Sequence, residues 1–145
     1  MAKKSSTDTA FGIKIRGIEL LNGSLSRPEH AAKKLSTFLY NVRIVQDIDR
    51  NKKLVFIIVH VDIHSVEEKK DVGSISVSHI YELANFEEAV TILDEHNFKI
   101  PEPLNDILNS ISISTTRGVM FSTYKGTFLH NAILPIVNPK QLEKN

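Results

Sequence analysis

Apolar and polar residues alternate along the first half of the chain with the two-residue period of half-buried strands. In FGIKIRGIEL, Phe11, Ile13 and Ile15 share one parity, and after Gly17 the apolar phase moves to Ile18 and Leu20. A one-residue slip beside glycine predicts a bulge or a sharp bend. Residues 22–34, with Gly23 and Pro28, predict a connecting loop with a helical turn after the proline. Phe38, Tyr40, Val42 and Ile44 mark one face of a second strand. DIDRNKK then supplies a turn, so LVFIIVHVDIH returns antiparallel as a third strand. There Val55, Ile57, Val59, Val61 and Ile63 line one face, while the other passes from Phe56 and Ile58 to His60, Asp62 and His64. SISVSHIYEL gives a fourth strand with Ile75, Val77, His79, Tyr81 and Leu83 in phase.

The period then lengthens. Asn85 and Glu88 have the spacing of a helix cap and its third-position carboxylate, and Phe86, Ala89, Val90 and Leu93 follow at helical intervals up to Asn97. Pro101 and Pro103 open a second helix whose stripe is Leu104, Ile107, Leu108 and Ile111, ending at Gly118. Four strands followed by two helices predict an α+β fold, a four-stranded antiparallel sheet with helices packed to one side. The tail, residues 1–9, reads as disordered, and residues 10–145 as a single domain, the size expected of a chain of 145 residues.

Composition narrows the function. With no cysteine, disulfides, thiolate zinc sites and thiol catalysis are excluded. No run approaches the roughly 20 apolar residues of a membrane span, and no apolar stretch follows the lysines of the first ten residues as in a signal peptide. A cytoplasmic protein is expected. A formal charge of +1 argues against nucleic acid as the main partner. Acidic residues gather in one stretch, Glu82, Glu87, Glu88, Asp94, Glu95, Glu102 and Asp106 against Lys99 alone. It reads either as the solvated face of a helix or as a docking surface for a basic partner. Phosphate loops, nucleophile elbows and zinc-protease motifs are absent. The strongest metal candidate is His60-Val61-Asp62-Ile63-His64, whose three polar side chains share a strand face. Its outer histidines lie roughly 13 Å apart on an extended strand, so a single ion needs a further ligand such as His79.

The end of the chain is unusually apolar. KGTFLHNAILPIVNPKQL, with Gly126-Thr127-Phe128, Leu134-Pro135, Val137-Asn138 and a closing Leu142, resembles the tail of the SecB family of export chaperones. SISVSHIYELANF is similar to that family's last strand and helix entry, and the pattern extends from about Phe11 to Leu142. Arg117-Gly118 offers a competing match for the glycine step, with VMFSTY (residues 119–124) as an insertion between the two. The resemblance implies a non-enzymatic, cofactor-free, ATP-independent holdase that assembles as a homotetramer, a dimer of dimers. It further implies unfolded clients, bound through exposed apolar grooves and passed to the translocation motor SecA in protein export, or antitoxins guarded in toxin–antitoxin systems. After Leu142 the sequence shows no long helix or acidic tail of the kind that engages the motor. Phe128, Leu134 and Val137 are the polypeptide-binding candidates from the matched tail, joined by Tyr40, Phe56 and Tyr81 on aromaticity and parity. A metal-binding module and an oligomeric scaffold for one folded partner stand as alternatives.

Overall fold

A computed structural model describes residues 12–27 and 37–142. The expected tail at residues 1–9, Phe11 and the helical turn after Pro28 lie outside the described residues. Four long strands, β1 (Ile13–Leu25), β2 (Phe38–Asp49), β3 (Leu54–Ser65) and β4 (Lys70–Leu83), form one antiparallel sheet in the order β1-β4-β3-β2. The expected fold class is the observed one. The register of β1 on β4 shifts between Ile15 and Gly17, where the phase slip predicts a bulge, and again between Leu20 and Asn22. β1 runs on to Leu25, so the loop expected from Asn22 begins later. Paired against Ser76, Ile75 and Ser74 of β4, residues 22–24 are held in the ladder despite their weak strand propensity.

One face of the sheet is the core. Val55, Ile57, Val59, Val61 and Ile63 are fully buried, as are Ile75, Val77 and Tyr81 on the neighbouring strand. Burying a row of such side chains is worth about 1.5–3 kcal/mol each, which fixes the parity of the central strands.

The helical half departs from expectation. Only one turn forms after Asn85, α1 (Phe86–Ala89), and the chain then makes a small hairpin, β5 (Thr91–Ile92) with β6 (Phe98–Lys99). Asn85 makes no side-chain cap, and Leu93 is 62% exposed rather than part of a stripe. The Asp94 carboxylate explains the break. It accepts from the backbone N–H of His96 (2.8 Å) and Asn97 (2.9 Å) and from the Asn97 side chain, closing a turn that competes with helix. β-branched Thr91 and Ile92 then favour the extended form. The acidic stretch is therefore divided among a strand end, a turn, a hairpin and a helix start, and is no helical face.

The long helix α2 (Glu102–Tyr124) crosses β3 and β4 and continues six residues beyond Gly118. Space around Gly118 is open, so nothing there ends the helix. Residues 119–124 are its last turns, with Met120 and Tyr124 in the core. Its buried face keeps Leu104 and Leu108 of the predicted stripe, with Ile111 packed partly against the core, but Ile107 is exposed and Asn105, Asn109, Ser112 and Thr116 also face inward. The sheet satisfies the first three of these polar residues and the backbone of α2 the fourth. Gln46 Nε2 donates to both asparagine Oδ1 atoms, Ser112 Oγ meets Tyr81 Oη at 2.7 Å, and Thr116 Oγ1 donates to Ser112 O at 2.8 Å. Buried polar groups with such partners avoid the cost of desolvation.

Candidate polypeptide-binding groove

α2 ends in a reversal that throws the remaining chain back across the sheet. Gly126 has φ +83°, the left-handed conformation that favours glycine after a helix. Thr127 Oγ1 donates to Tyr124 O at 2.7 Å and accepts from Leu129 N at 3.1 Å, holding the turn. Tyr124 Oη reaches Ser24 O (2.7 Å) and Ser74 O (3.0 Å), tying the helix end to β1 and β4. Leu129 enters the core over Gly73, where a Cβ would stand 2.7 Å from its Cδ1. Gly126 thus occupies the glycine position after the helix, and Arg117-Gly118, inside the helix, does not.

Burial alternates from Ala132 to Pro135 and stops at Ile136, which is 94% exposed. Ala132 and Leu134 point inward and are buried, whereas Ile133 is 51% exposed and Pro135 is exposed. Arg117 anchors this segment: its Nε donates to Leu134 O at 2.6 Å and its Nη2 to Pro135 O at 2.8 Å. Asn138 Oδ1 accepts from Lys140 N at 3.0 Å and opens a 3₁₀ turn, Pro139–Gln141, which brings Leu142 back against the sheet.

Between this segment and the edge strand lies an open groove of about 610 Å³. β2 supplies Phe38, Leu39, Tyr40, Asn41 and Val42; the C-terminal segment supplies Ile133, Pro135, Val137, Gln141 and Leu142. Partial burial in this wall raises the Tyr40 phenol above its ordinary pKa. The surface is apolar and aromatic with two amides, and no ionisable pair or nucleophile–base arrangement stands in it. What it offers is contact area for apolar side chains.

Of the candidates from the sequence, Tyr40 and Val137 lie in the groove, with Pro135 and Leu142 of the matched tail. Phe128 is half-buried against the core at the turn, outside the groove lining. Two are corrected. Leu134 is 1% exposed, because alternation in the extended segment turns it inward, and Tyr81 is fully buried and bonded to Ser112. Phe56 sits on the other sheet face near the β2–β3 turn, beside Ile48, Arg50 and Glu87. Phe38, Ile133 and Gln141 were not foreseen. Alternation applied to residues 132–135 would have found Ile133.

The histidine row does not assemble a centre. His60 Nδ1 pairs with Ser76 Oγ (2.7 Å) and His64 Nδ1 with Asp71 Oδ1 (3.1 Å), both on the outer face. Burial and the Arg43 cation lower the His60 pKa. His79 points to the opposite face, where Nδ1 meets Ile57 O at 2.8 Å and Nε2 meets Thr116 Oγ1 at 3.3 Å. Among the described residues no three histidine or carboxylate side chains stand together as metal ligands.

No family model and no curated protein sequence matches this chain. Among solved structures it is similar to the Mycobacterium tuberculosis Rv1957 SecB-like chaperone in complex with a ChAD peptide from the Rv1956 HigA1 antitoxin. The two share 13% identity and a TM-score of 0.56, over 86% of this chain and 87% of that one. The fold is SecB-like. At this identity the likeness is one of architecture alone. Among the described residues, no helix is long and apolar enough to cross a membrane.

Proposed function

We propose that this chain is a non-enzymatic, ATP-independent chaperone of SecB type that holds non-native polypeptide segments in the groove between β2 and residues 133–142. The observation that carries this reading is the groove itself: an open apolar trough of about 610 Å³ that the described residues leave unfilled. Open apolar surface of this kind marks an interaction site, and a protein that binds the unfolded state must present such surface. The mycobacterial neighbour was solved with an antitoxin peptide, which supports a peptide client and favours an antitoxin over an exported precursor handed to SecA.

A homo-oligomer, a dimer of dimers in the cytoplasm, belongs to the same reading. Because α2 lies over β3 and β4, the helix side of β1 is uncovered, and Ile15, Ile18 and Leu20 are each about half exposed there. A second copy would cover that row.

The test is light scattering from a chemically denatured client diluted into buffer. Aggregation is expected to be suppressed at stoichiometric chaperone, and Ile133→Glu, which puts a carboxylate in the groove, is expected to abolish the effect while leaving the fold intact. Unchecked aggregation with the native sequence would overturn the proposal.

A further inference from the structure

One buried titratable side chain lies in the seam between the sheet and α2. His79 is 1% exposed on the core face of β4, where Ile57 of β3 and Ile18 of β1 are its register partners. Its Nδ1 stands 2.8 Å from Ile57 O, a carbonyl that can only accept, so this nitrogen carries the ring's proton. Nε2 is then a bare acceptor, and the donor that meets it is the Thr116 hydroxyl of α2 at 3.3 Å. No counter-charge accompanies the ring. Its face holds Val77 and Tyr81 on β4, Val55, Ile57 and Val59 on β3, Ile15, Ile18 and Leu20 on β1, and it meets Thr116 on α2 beside Ser112. Of these only the Tyr81 phenol titrates, and burial pushes its pKa up, so it stays neutral in acid. Lys14, Glu19 and Glu82 belong to the opposite sheet face, Arg16 pairs with Glu82, and Arg117 is turned to Leu134 O and Pro135 O.

We infer that His79 is a proton-operated latch: neutral, it fastens α2 to the sheet through Thr116; protonated, it lets the seam open and the groove wall with it. A water-excluded imidazolium with no carboxylate beside it is costly, and that cost is relieved when α2 lifts and water reaches the ring. Burial accordingly holds the folded pKa below the ordinary 6.5, against the raising effect of Ile57 O. In the opened seam the ring recovers its ordinary value of about 6.5. As pH falls through that value, the open form gains a proton that the closed form refuses. The opening equilibrium therefore rises, by at most about tenfold between pH 7.5 and 5.5. The change reaches the wall because Thr116 immediately precedes Arg117, whose guanidinium holds Leu134 O and Pro135 O. The latch is independent of what the groove holds.

The experiment is hydrogen exchange on the full chain at pH 7.5, 6.5, 5.5 and 4.5, corrected for the intrinsic amide rate. Peptides covering residues 112–124 and 129–142 should open about five- to tenfold more at pH 5.5 than at 7.5, with the rise starting as pH passes 6.5. Peptides of β3 should change less. His79→Gln should hold residues 112–142 within about twofold over the same range. His130 also lies in the wall peptide, exposed and tilted against Phe121 with ring centroids 5.5 Å apart, so His130→Gln is the control and should keep the full rise. Nitrogen NMR of the native ring should show the Nδ1–H tautomer at pH 7.5 and a titration midpoint below 6.5. A flat native profile, a rise that begins only below about pH 5 where carboxylates titrate, or an equal rise over β3 would overturn the latch. So would a rise that survives His79→Gln or vanishes in His130→Gln. The Nε2–H tautomer, or a midpoint at or above 6.5, would overturn it from the native protein alone, whether or not His79→Gln folds.

Discussion

Replacing Arg117 by methionine tests how the outer wall of the groove is held. The substitution keeps an apolar stem across the helix but removes two charged donors. Leu134 O loses the partner at 2.6 Å on a nearly buried residue, where a charge-assisted bond is worth about 1.5–3 kcal/mol. Pro135 is exposed, so water replaces the second donor and that bond adds little. The net loss is about 2 kcal/mol, borne by the segment from Ala132 to Leu142. By hydrogen-exchange mass spectrometry, peptides covering residues 129–142 should exchange about thirtyfold faster than in the native protein, because 1.4 kcal/mol is a factor of ten in an opening equilibrium. The central strands should be slowed or hastened only by the global change, on the order of 6 °C in Tm for a domain of this size. Arg117→Lys, with one compact donor, should fall between. Unchanged exchange over residues 129–142 in Arg117→Met would refute the view that this arginine fixes the wall.

Gly118→Ala should stabilise the protein by about 0.5–1 kcal/mol in urea titrations, since a Cβ there meets open space in the interior of α2. Gly73→Val should cost at least about 2 kcal/mol by the same measurement, because its Cβ alone would press on Leu129, Ile63 and Tyr124. His79 gives a pH dependence. Burial holds its folded pKa below the ordinary value of 6.5, against a weaker raising effect from Ile57 O, so the native state refuses a proton that the denatured state accepts. Its stabilising contribution is therefore present above pH 6.5 and lost as pH falls through that value towards the lowered one. Urea unfolding at pH 7.5 and 5.5 should show a smaller acid loss in His79→Gln than in the native protein.

The strands were legible because burial on one face writes itself as a period of two, and the register slip at Gly17 announced the first bulge. The helices were less so. Asn85 to Asn97 carries helical spacing, but the local bonds of Asp94 outweigh it. The polar half of the inward face of α2 escaped detection: Asn105, Asn109 and Ser112 are tolerated inside through partners on distant strands, which no local pattern reveals, and Thr116 bonds the carbonyl of Ser112 in its own helix. For the groove, the matched tail led to Val137, Pro135 and Leu142, and parity with aromaticity led to Tyr40. Parity shows which residues share a face but not which part of that face another segment covers. Aromaticity and parity therefore point to Tyr81 although it lies in phase with the core, and the matched tail points to Leu134 although local alternation turns it inward.

The central claim is that non-native chain occupies the trough beside Ile133. A photoreactive benzophenone side chain placed at position 133, with a control at the exposed Leu93 on the β5–β6 hairpin, tests it directly. Illumination with a client held unfolded should give crosslinks from position 133 and few from 93, and the folded client should give none. Equal crosslinking from both positions, or from folded and unfolded client alike, would contradict the account.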